Sequence, residues 1–179
     1  MLELLPITTA SLTLRAFTMA DAAKVFAMSR ERGMRAWIPD QVYADEEEAS
    51  GVLRYLVSQY DRPDVPAKAP LALGVCLRSS GELIGHVGLS PYDDVVEIGY
   101  AIEQAHQGKG LATEAARALS DWGLRTFGLP AVDGVVASDN VASCKVLEKA
   151  GFALVGEADR SMHGVVRPVK TYRKTAPAG

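Results

Sequence analysis

Ile98-Gly-Tyr-Ala-Ile-Glu-Gln-Ala-His-Gln-Gly-Lys-Gly-Leu-Ala-Thr-Glu-Ala115 is the stretch that decides the fold of this chain. An apolar strand leads through a short polar turn into a helix. Gln107, Gly110 and Ala112 stand at the spacing Q-x-x-G-x-A, and Gly108 adds a second glycine. Glycines at a helix start let a ligand approach backbone N–H groups that have no partner inside the helix, and the helix dipole favours negative charge there. The turn therefore predicts a phosphate site.

Two common phosphate-binding loops do not fit this turn. A Walker loop needs Ser or Thr after its lysine, but Lys109 is followed by Gly110. The dinucleotide fingerprint G-x-G-x-x-G/A is also broken, because Thr113 occupies its third glycine position. From these residues alone, a strand-to-helix turn without a ligand is the remaining alternative.

The composition is that of an ordinary globular protein. The 179 residues are 48% hydrophobic and 23% charged, which predicts a single domain over 1–179. The net charge of −3 gives no general attraction to nucleic acid, and no apolar run is long enough to span a membrane. Cys76 and Cys144 lack metal-ligand spacing, and Glu3 stands where a signal peptide would be basic. These features predict a cytoplasmic protein without a metal site.

Hydrophobic periodicity gives the order β-α-α-β-β-β-α-β-α-β-β, which predicts an α/β fold with a mixed sheet and helices on its faces. Short turns at 79–81 and 91–94 indicate antiparallel neighbours. The last few residues, 176–179, are expected to be disordered. The predicted helices cover 18–30 and 44–60, then run from after Gly108 to Phe127 and from after Asn140 to Lys149. The predicted strands are 12–17, 71–78, 82–90, 95–102, 132–137, 152–157 and 165–173.

Three segments together resemble one family. Residues 96–102, 107–115 and 140–152 are similar to the GNAT superfamily of acetyl-CoA-dependent N-acetyltransferases, and most similar to its RimJ/RimL branch. The opening 12–21 is similar to that branch as well, so the resemblance covers nearly the whole chain. It implies a mostly antiparallel sheet in which two parallel central strands splay apart.

The resemblance also implies where acetyl-CoA binds as a co-substrate. Its pantetheine arm would lie between strands 95–102 and 132–137, hydrogen-bonded to unpaired backbone of the first strand. An N–H at Ala101 or Ile102 would polarise the thioester carbonyl. The expected cofactor contacts are Tyr100, Ala101, Ile102, Gln107, Gly108, Lys109, Gly110, Leu111, Ala112, Thr113, Asn140, Ser143 and Lys145.

Asn140 and Ser143 lie at the start of the segment 140–152, one of the three that resemble the family. The resemblance implies that Asn140 contacts the cofactor and that Ser143 is a catalytic residue, because a hydroxyl can donate a hydrogen bond to the departing thiolate. Simpler alternatives stay open, since Asn is a common helix cap and Ser143 would then be a first-turn serine. Lys109 and Lys145 either add positive charge near the phosphates or are solvated.

Glu97 is the candidate catalytic base, because it lies on the strand expected to line the cofactor and the acceptor amine must attack in its neutral form. Some relatives instead carry a glutamate on the strand before the asparagine motif. Here Val135 or Val136 fills that place. A surface acid on a half-exposed strand is the alternative for Glu97.

Three residues are expected to contact the acceptor substrate. His86 lies on the neighbouring strand, Tyr92 in the hairpin turn that follows, and Trp37 where the family's first-helix region borders the acceptor groove. A structural histidine and a core tryptophan are the alternatives. The acids Asp93, Asp94 and Glu97 near the expected mouth of the site favour a cationic amine.

These observations predict an N-acetyltransferase that acts by direct attack of a primary amine, either a protein N-terminal α-amine or a small-molecule amine. A non-catalytic acetyl-CoA-binding sensor is the alternative, because the glutamate before Asn140 is missing. A third hypothesis makes Cys144 a nucleophile, although no histidine lies near it in sequence. No nucleic-acid or membrane partner is expected, and an edge strand leaves a homodimer open.

Overall fold

The computed structural model describes residues 4–62 and 64–176. The strands are β1 Ile7–Thr8, β2 Leu12–Ala16, β3 Leu71–Leu77, β4 Leu83–Tyr92, β5 Val95–Ile102, β6 Ala131–Ala137, β7 Ala153–Met162 and β8 Val165–Thr175. The helices are α1 Ala22–Ser29, α2 Arg32–Trp37, α3 Glu46–Ser58, α4 Leu111–Phe127 and α5 Val141–Ala150. The disorder expected for 177–179 lies outside the described residues.

All eight strands form one sheet in the order β1-β2-β3-β4-β5-β6-β8-β7. The pair β5–β6 is parallel and the other neighbours are antiparallel, which confirms the predicted mixed α/β sheet. Between β5 and β6, Glu97 and Asp133 are the single register pair among the described residues. The two strands therefore diverge toward their C-terminal ends, as the family resemblance implies.

Helices cover the two faces of the sheet unequally. The long helix α4 packs on β2, β4 and β5, with α5 beside it, and both bury apolar side chains in the main core. On the other face, α1 and α3 bury a smaller cluster that includes Phe17, Leu53 and Cys76. This second face is more open over β5, β6 and β8, where Gly99 and Arg173 are exposed. We call it the open face.

Two parts of the fold differ from the sequence prediction. Helix α2 was not predicted, because six residues with Met34 as the buried one are too short to show a helical period. The final hairpin is longer than predicted: its strands reach Met162 and Thr175 rather than 157 and 173. Its outer strand is exposed and lacks an apolar alternation, so the pairing with β8 keeps it extended.

Strand β7 forms one edge of the sheet and is exposed along nearly its whole length, including Leu154 and Val155. With β1 at the other end of the strand order, it is one of the two edge strands to which the homodimer left open by the sequence refers. Among the residues described, none of the helices has the length and apolar character that a membrane crossing requires.

Candidate functional site

The glycine turn before α4 presents backbone without side chains. Gly108 and Gly110 have φ angles of 75° and 78°, a left-handed conformation that L side chains rarely adopt. Within the described part of the chain, no protein acceptor meets the N–H groups of 108–113. The next N–H, that of Glu114, bonds to the Gly110 carbonyl at 3.0 Å and starts the helix. We call the N–H groups of 108–113 the anion cradle, since a helix N-terminus favours an anion.

The residues around the anion cradle hold its shape. Gln107 Nε2 donates to the Ile102 carbonyl at 2.8 Å, and the Gln107 N–H donates to the Gln104 carbonyl at 3.3 Å. The side-chain amide and the backbone N–H of Gln107 are thus both engaged inside the loop. Lys109 Nζ donates to the Ala105 carbonyl at 3.2 Å and is exposed. Among the described residues, the N–H groups of this turn that meet no protein acceptor therefore begin at Gly108.

The first turn of α4 offers backbone rather than side chains. Leu111 is buried in the core, and Ala112 and Thr113 are half-buried. Glu114, the acid in this turn, accepts from the Thr9 hydroxyl at 2.6 Å. That bond directs its carboxylate toward the β1–β2 turn, so the anion cradle is not opposed by it.

Hydrogen-bond alternation decides which backbone groups of β5 face the gap toward β6. The Glu103 N–H donates to the Ile84 carbonyl beside β4 at 2.8 Å, and Ala101 lies two residues earlier in the same register. Because bonding direction alternates along an antiparallel strand, the Ala101 N–H also points to β4. Those of Tyr100 and Ile102 point to the gap. Two N–H groups were expected to polarise a thioester. The N–H of Ala101 points to β4, so the N–H of Ile102 is the one that faces the gap.

Tyr100 links β5 to the start of α5. Its phenol oxygen lies 2.8 Å from Ser143 Oγ and 3.1 Å from the Ser143 carbonyl oxygen. Burial raises the pKa of Tyr100 to about 12, so the phenol stays protonated. Asn140 Oδ1 accepts from the Ser143 N–H at 3.2 Å and caps α5, the structural alternative for this residue. Lys145 is exposed on the same helix.

Glu97 is half-buried on β5 and faces Asp133 on β6. The pKa of Glu97 is raised to about 7, chiefly by burial and to a smaller extent by the Asp133 charge, against a hydrogen bond from the Val135 backbone that lowers it. A carboxylate that titrates near neutrality is suited to accept a proton at physiological pH. A half-buried acid on β5 is compatible with the predicted base and with its alternative, a surface acid on a half-exposed strand.

The open face of β4 and β5 forms a groove with a floor of backbone. Alternate residues of a strand share a face, so Tyr92 continues the row that contains His86. Paired glycines leave no side chain between His86 and Glu97 along this row. We call this groove over β4 and β5 the acceptor groove. The register pairs along its floor are His86–Ala101, Gly88–Gly99 and Ser90–Glu97.

His86 closes one end of the acceptor groove. It lines a small open depression together with Met28 and Met34 from the first two helices. Burial lowers the pKa of His86 to about 4, so the imidazole is neutral at physiological pH. A neutral ring among methionines forms a wall of the groove and does not compete with Glu97 for a proton.

Trp37 connects α2 to the final hairpin. The Arg167 guanidinium of β8 lies 5.6 Å from the centroid of its ring, a cation–π contact. Arg167 also donates to Asp139 at 2.9 Å, and His163 at the hairpin tip contacts Asp40 just after α2. Trp37 therefore packs between α2 and β8 beside the open face, rather than in the main core.

The structure reveals an ion pair that the sequence interpretation missed. Asp133 is 3% exposed and receives two hydrogen bonds from the Arg173 guanidinium, both at 2.7 Å. A charged residue inside the apolar strand 131–137 was the available signal, because a buried carboxylate needs a partner. The partner lies 40 residues away and was not identifiable without strand register.

Two further sequence hypotheses concern a nucleophile and a metal. Cys144 is buried beside Tyr172, so its thiol is not presented to a substrate.

Among the described residues, one group could approach a metal ion, and its ligand atoms lie within 4.8 Å of one another. Lys24 Nζ lies 2.7 Å from a carboxylate of this group and supplies the positive charge there. The group consists of Glu82, Glu103 and His106.

Comparison with known proteins gives a consistent result. The family model described as "Acetyltransferase (GNAT) domain" matches residues 11–153. The "Uncharacterized N-acetyltransferase YnaD" of Bacillus subtilis (strain 168) is 28% identical over 152 residues, covering 84% of each chain.

Solved structures share the fold. The GNAT-family acetyltransferase from Bacillus anthracis superposes with a TM-score of 0.81 at 22% identity, covering 96% of this chain and 98% of that one. RimL, a ribosomal L7/L12 alpha-N-protein acetyltransferase in complex with coenzyme A, superposes with a TM-score of 0.79 at 18% identity, with coverage of 96% and 98%. At these identities, the likeness concerns the fold.

Proposed function

This chain belongs to the GNAT acetyltransferase family, and we propose that it transfers the acetyl group of acetyl-CoA to a primary amine by direct attack. It is an N-acetyltransferase with acetyl-CoA as its co-substrate. The finer parts of the proposal are the residues that bind acetyl-CoA, the residues that move protons and the class of amine.

One observation carries the proposal: the gap between β5 and β6 leads to the anion cradle. The gap opens beyond the Glu97–Asp133 pair, and the N–H groups of Tyr100 and Ile102 face it. A pantetheine arm carries amides that can pair with such backbone groups like an added strand. A diphosphate matches the N–H groups of Gly108 and its neighbours. Both halves of the ligand thus find complementary backbone in this chain.

Bound acetyl-CoA supplies the thioester whose acetyl group is transferred. Glu97 accepts the proton that the amine loses as its nitrogen bonds to the acetyl carbon, directly or through a water molecule. Ser143, held by Tyr100, donates a hydrogen bond to the sulfur as the carbon–sulfur bond breaks. The Ile102 N–H is the donor available to the carbonyl oxygen.

The acceptor groove supports an amine that approaches over the paired glycines Gly88 and Gly99, where the backbone is uncovered. Glu97 at one end, when ionised, places a negative charge there that suits a cationic amine. We propose a protein N-terminal α-amine or a small-molecule amine as the acceptor, with Trp37, His86 and Tyr92 bordering it.

Turnover with defined amines tests the proposal. Purified protein and acetyl-CoA are combined with peptides that have a free α-amine and no lysine, with α-blocked lysine peptides, and with polyamines, amino acids and aminoglycosides. Thiol release measures the rate, and mass spectrometry identifies the acetylated product. Acceptor-dependent thiol release with one class supports the proposal. Saturable binding of acetyl-CoA without acetylation of any amine contradicts it and favours the sensor alternative.

A further inference from the structure

A row of polar side chains crosses four neighbouring strands beside the acceptor groove. Register places Ser90 of β4 opposite Glu97 of β5, Glu97 opposite Asp133 of β6, and Asp133 opposite Arg173 of β8. Residues in register on adjacent strands project from the same face. The row stands at the level where β5 and β6 begin to diverge.

The outer half of this row is rigid. Arg173 Nε bonds to Asp133 Oδ1 and its terminal nitrogen to Oδ2, both at 2.7 Å, so the carboxylate is held at both oxygens. Asp133 is 3% exposed, while the Arg173 side chain is 42% exposed. The planar guanidinium matches this bidentate geometry in a way that an ammonium group does not. The negative charge of Asp133 beside Glu97 is therefore fixed in place and partly neutralised by Arg173 on β8.

We propose that Asp133 and Arg173 are positioning residues for acetyl transfer, because together they set the electrostatic field in which Glu97 takes up and releases its proton. The inference rests on the proposed role of Glu97 as the proton acceptor. Elsewhere in the sheet, an ion pair between neighbouring strands would be explained by its structural role of holding the two strands together. Here the ion pair lies beside Glu97, at the last register pair before the gap, so it also affects the protonation of Glu97.

Few other charges face Glu97. On β4 its register partner Ser90 is uncharged, and His86 farther along that strand is neutral at physiological pH, since its pKa is lowered to about 4. Asp93 and Asp94 lie exposed in the turn between β4 and β5. Helix α4 packs on the opposite face through apolar residues. Burial and a hydrogen bond from the Val135 backbone act more strongly on the pKa of Glu97 than the Asp133 charge does. Among the described residues, Asp133 and Arg173 are the ionic groups in register with Glu97 across β6 and β8.

The two ends of the ion pair are expected to act in opposite directions. Without the Arg173 charge, Asp133 repels the Glu97 carboxylate more strongly, so Glu97 keeps its proton to a higher pH. Without the Asp133 charge, Arg173 attracts the Glu97 carboxylate, so Glu97 loses its proton at a lower pH. A like or opposite charge within about 4–6 Å shifts the pKa of a carboxyl group by about one unit or more, and the shift falls with distance.

Four variants test the inference: Arg173→Gln, Arg173→Lys, Asp133→Asn and the double variant Asp133→Asn with Arg173→Gln. One readout is the acidic midpoint of kcat/KM, measured with an acceptor whose amine titrates well below Glu97. The other is a ¹³C NMR titration of the Glu97 carboxyl group, assigned by its loss in Glu97→Gln. We expect the midpoint to rise in Arg173→Gln and to fall in Asp133→Asn, each by up to about one pH unit.

The remaining variants act as controls. Arg173→Lys keeps the charge and is expected to stay near the wild-type midpoint, and the double variant is expected between the two single variants. Thermal unfolding of each protein measures the structural part, since loss of one partner destabilises the pair regardless of Glu97. Equal midpoints in all proteins, with only the melting temperature changed, would overturn the inference.

The two proposals can fail separately. If Glu97→Gln keeps the wild-type rate and pH profile, the role of Glu97 in the proposed function is wrong, and with it the link of the ion pair to catalysis. The NMR titration still decides whether Asp133 and Arg173 control the protonation of Glu97. If Glu97→Gln loses activity but the midpoints do not move, the proposed function stands and the inference fails.

Discussion

The phenol oxygen of Tyr100 lies 2.8 Å from the hydroxyl oxygen of Ser143, joining β5 to the first turn of α5. The two residues are 43 positions apart, and each belongs to an element that borders the proposed acetyl-CoA site. The contact restricts the rotation of the Ser143 side chain. A hydroxyl that is already oriented can serve a departing sulfur without reorganisation.

We expect Ser143→Ala to lower kcat by about 100-fold, since loss of a positioned proton or hydrogen-bond donor typically has an effect of this size. Tyr100→Phe keeps the Ser143 hydroxyl but removes its hydrogen bond to the phenol. We therefore expect a smaller decrease in kcat, of roughly fivefold, which corresponds to the loss of one hydrogen bond. Steady-state kinetics at saturating acetyl-CoA measure both effects. An unchanged kcat in Ser143→Ala would remove this residue from the chemistry.

The anion cradle can be tested with a matched pair of glycine variants. Gly110 and Gly81 have φ of 78° and 74°, and an added Cβ meets nothing within 4 Å at either. Alanine is expected to cost about 1 kcal/mol of stability at each position, because both adopt the left-handed conformation. Only Gly110→Ala places a methyl group and a strained backbone at the cradle. We expect its Kd for coenzyme A to rise about tenfold or more by calorimetry, whereas Gly81→Ala should match the wild type.

Glu97 predicts a pH dependence with a definite sign. The group must be ionised to accept a proton, and burial raises its pKa to about 7. With an acceptor that titrates at lower pH, kcat/KM should therefore rise with pH through about 7 and then level off. Glu97→Gln should lose this rise, together with about 100-fold in rate. A wild-type profile that is flat across neutrality would contradict the assignment of Glu97 as the base.

His86 predicts a pH dependence of stability. Its pKa is lowered by burial to about 4, whereas an unfolded histidine titrates near ~6.5. The unfolded state therefore binds more protons below that pH, and the stability present above it is lost as the pH falls toward about 4. Between about pH 7 and pH 5 the loss is expected to be on the order of 2 kcal/mol. The raised pKa of Glu97 stabilises the folded state in the opposite sense over this range, in both the wild type and His86→Gln. The His86 contribution is therefore measured as the difference between the urea unfolding free energies of the wild type and His86→Gln, and this difference should fall by that amount from about pH 7 to pH 5.

Local sequence patterns were sufficient for much of the fold. The glycine spacing predicted the turn before α4, alternation predicted the central strands, and Asn140 marked the start of α5. These features depend on residues a few positions apart, where helix start signals and strand periodicity act directly. The short helix α2 could not be predicted in the same way, because it offers too few residues for a period.

What the sequence alone determined is the family, from three short motifs, the mixed type of the sheet, from the order of strands and helices, and the glycine turn before α4, from adjacent residues. What only the tertiary structure decided is which side chains meet: Tyr100 with Ser143, and Asp133 between Glu97 and Arg173. These contacts depend on strand register, and a shift of one residue would send every side chain of a strand to the opposite face. Register is set by the packing of the whole sheet, which no local stretch of sequence contains.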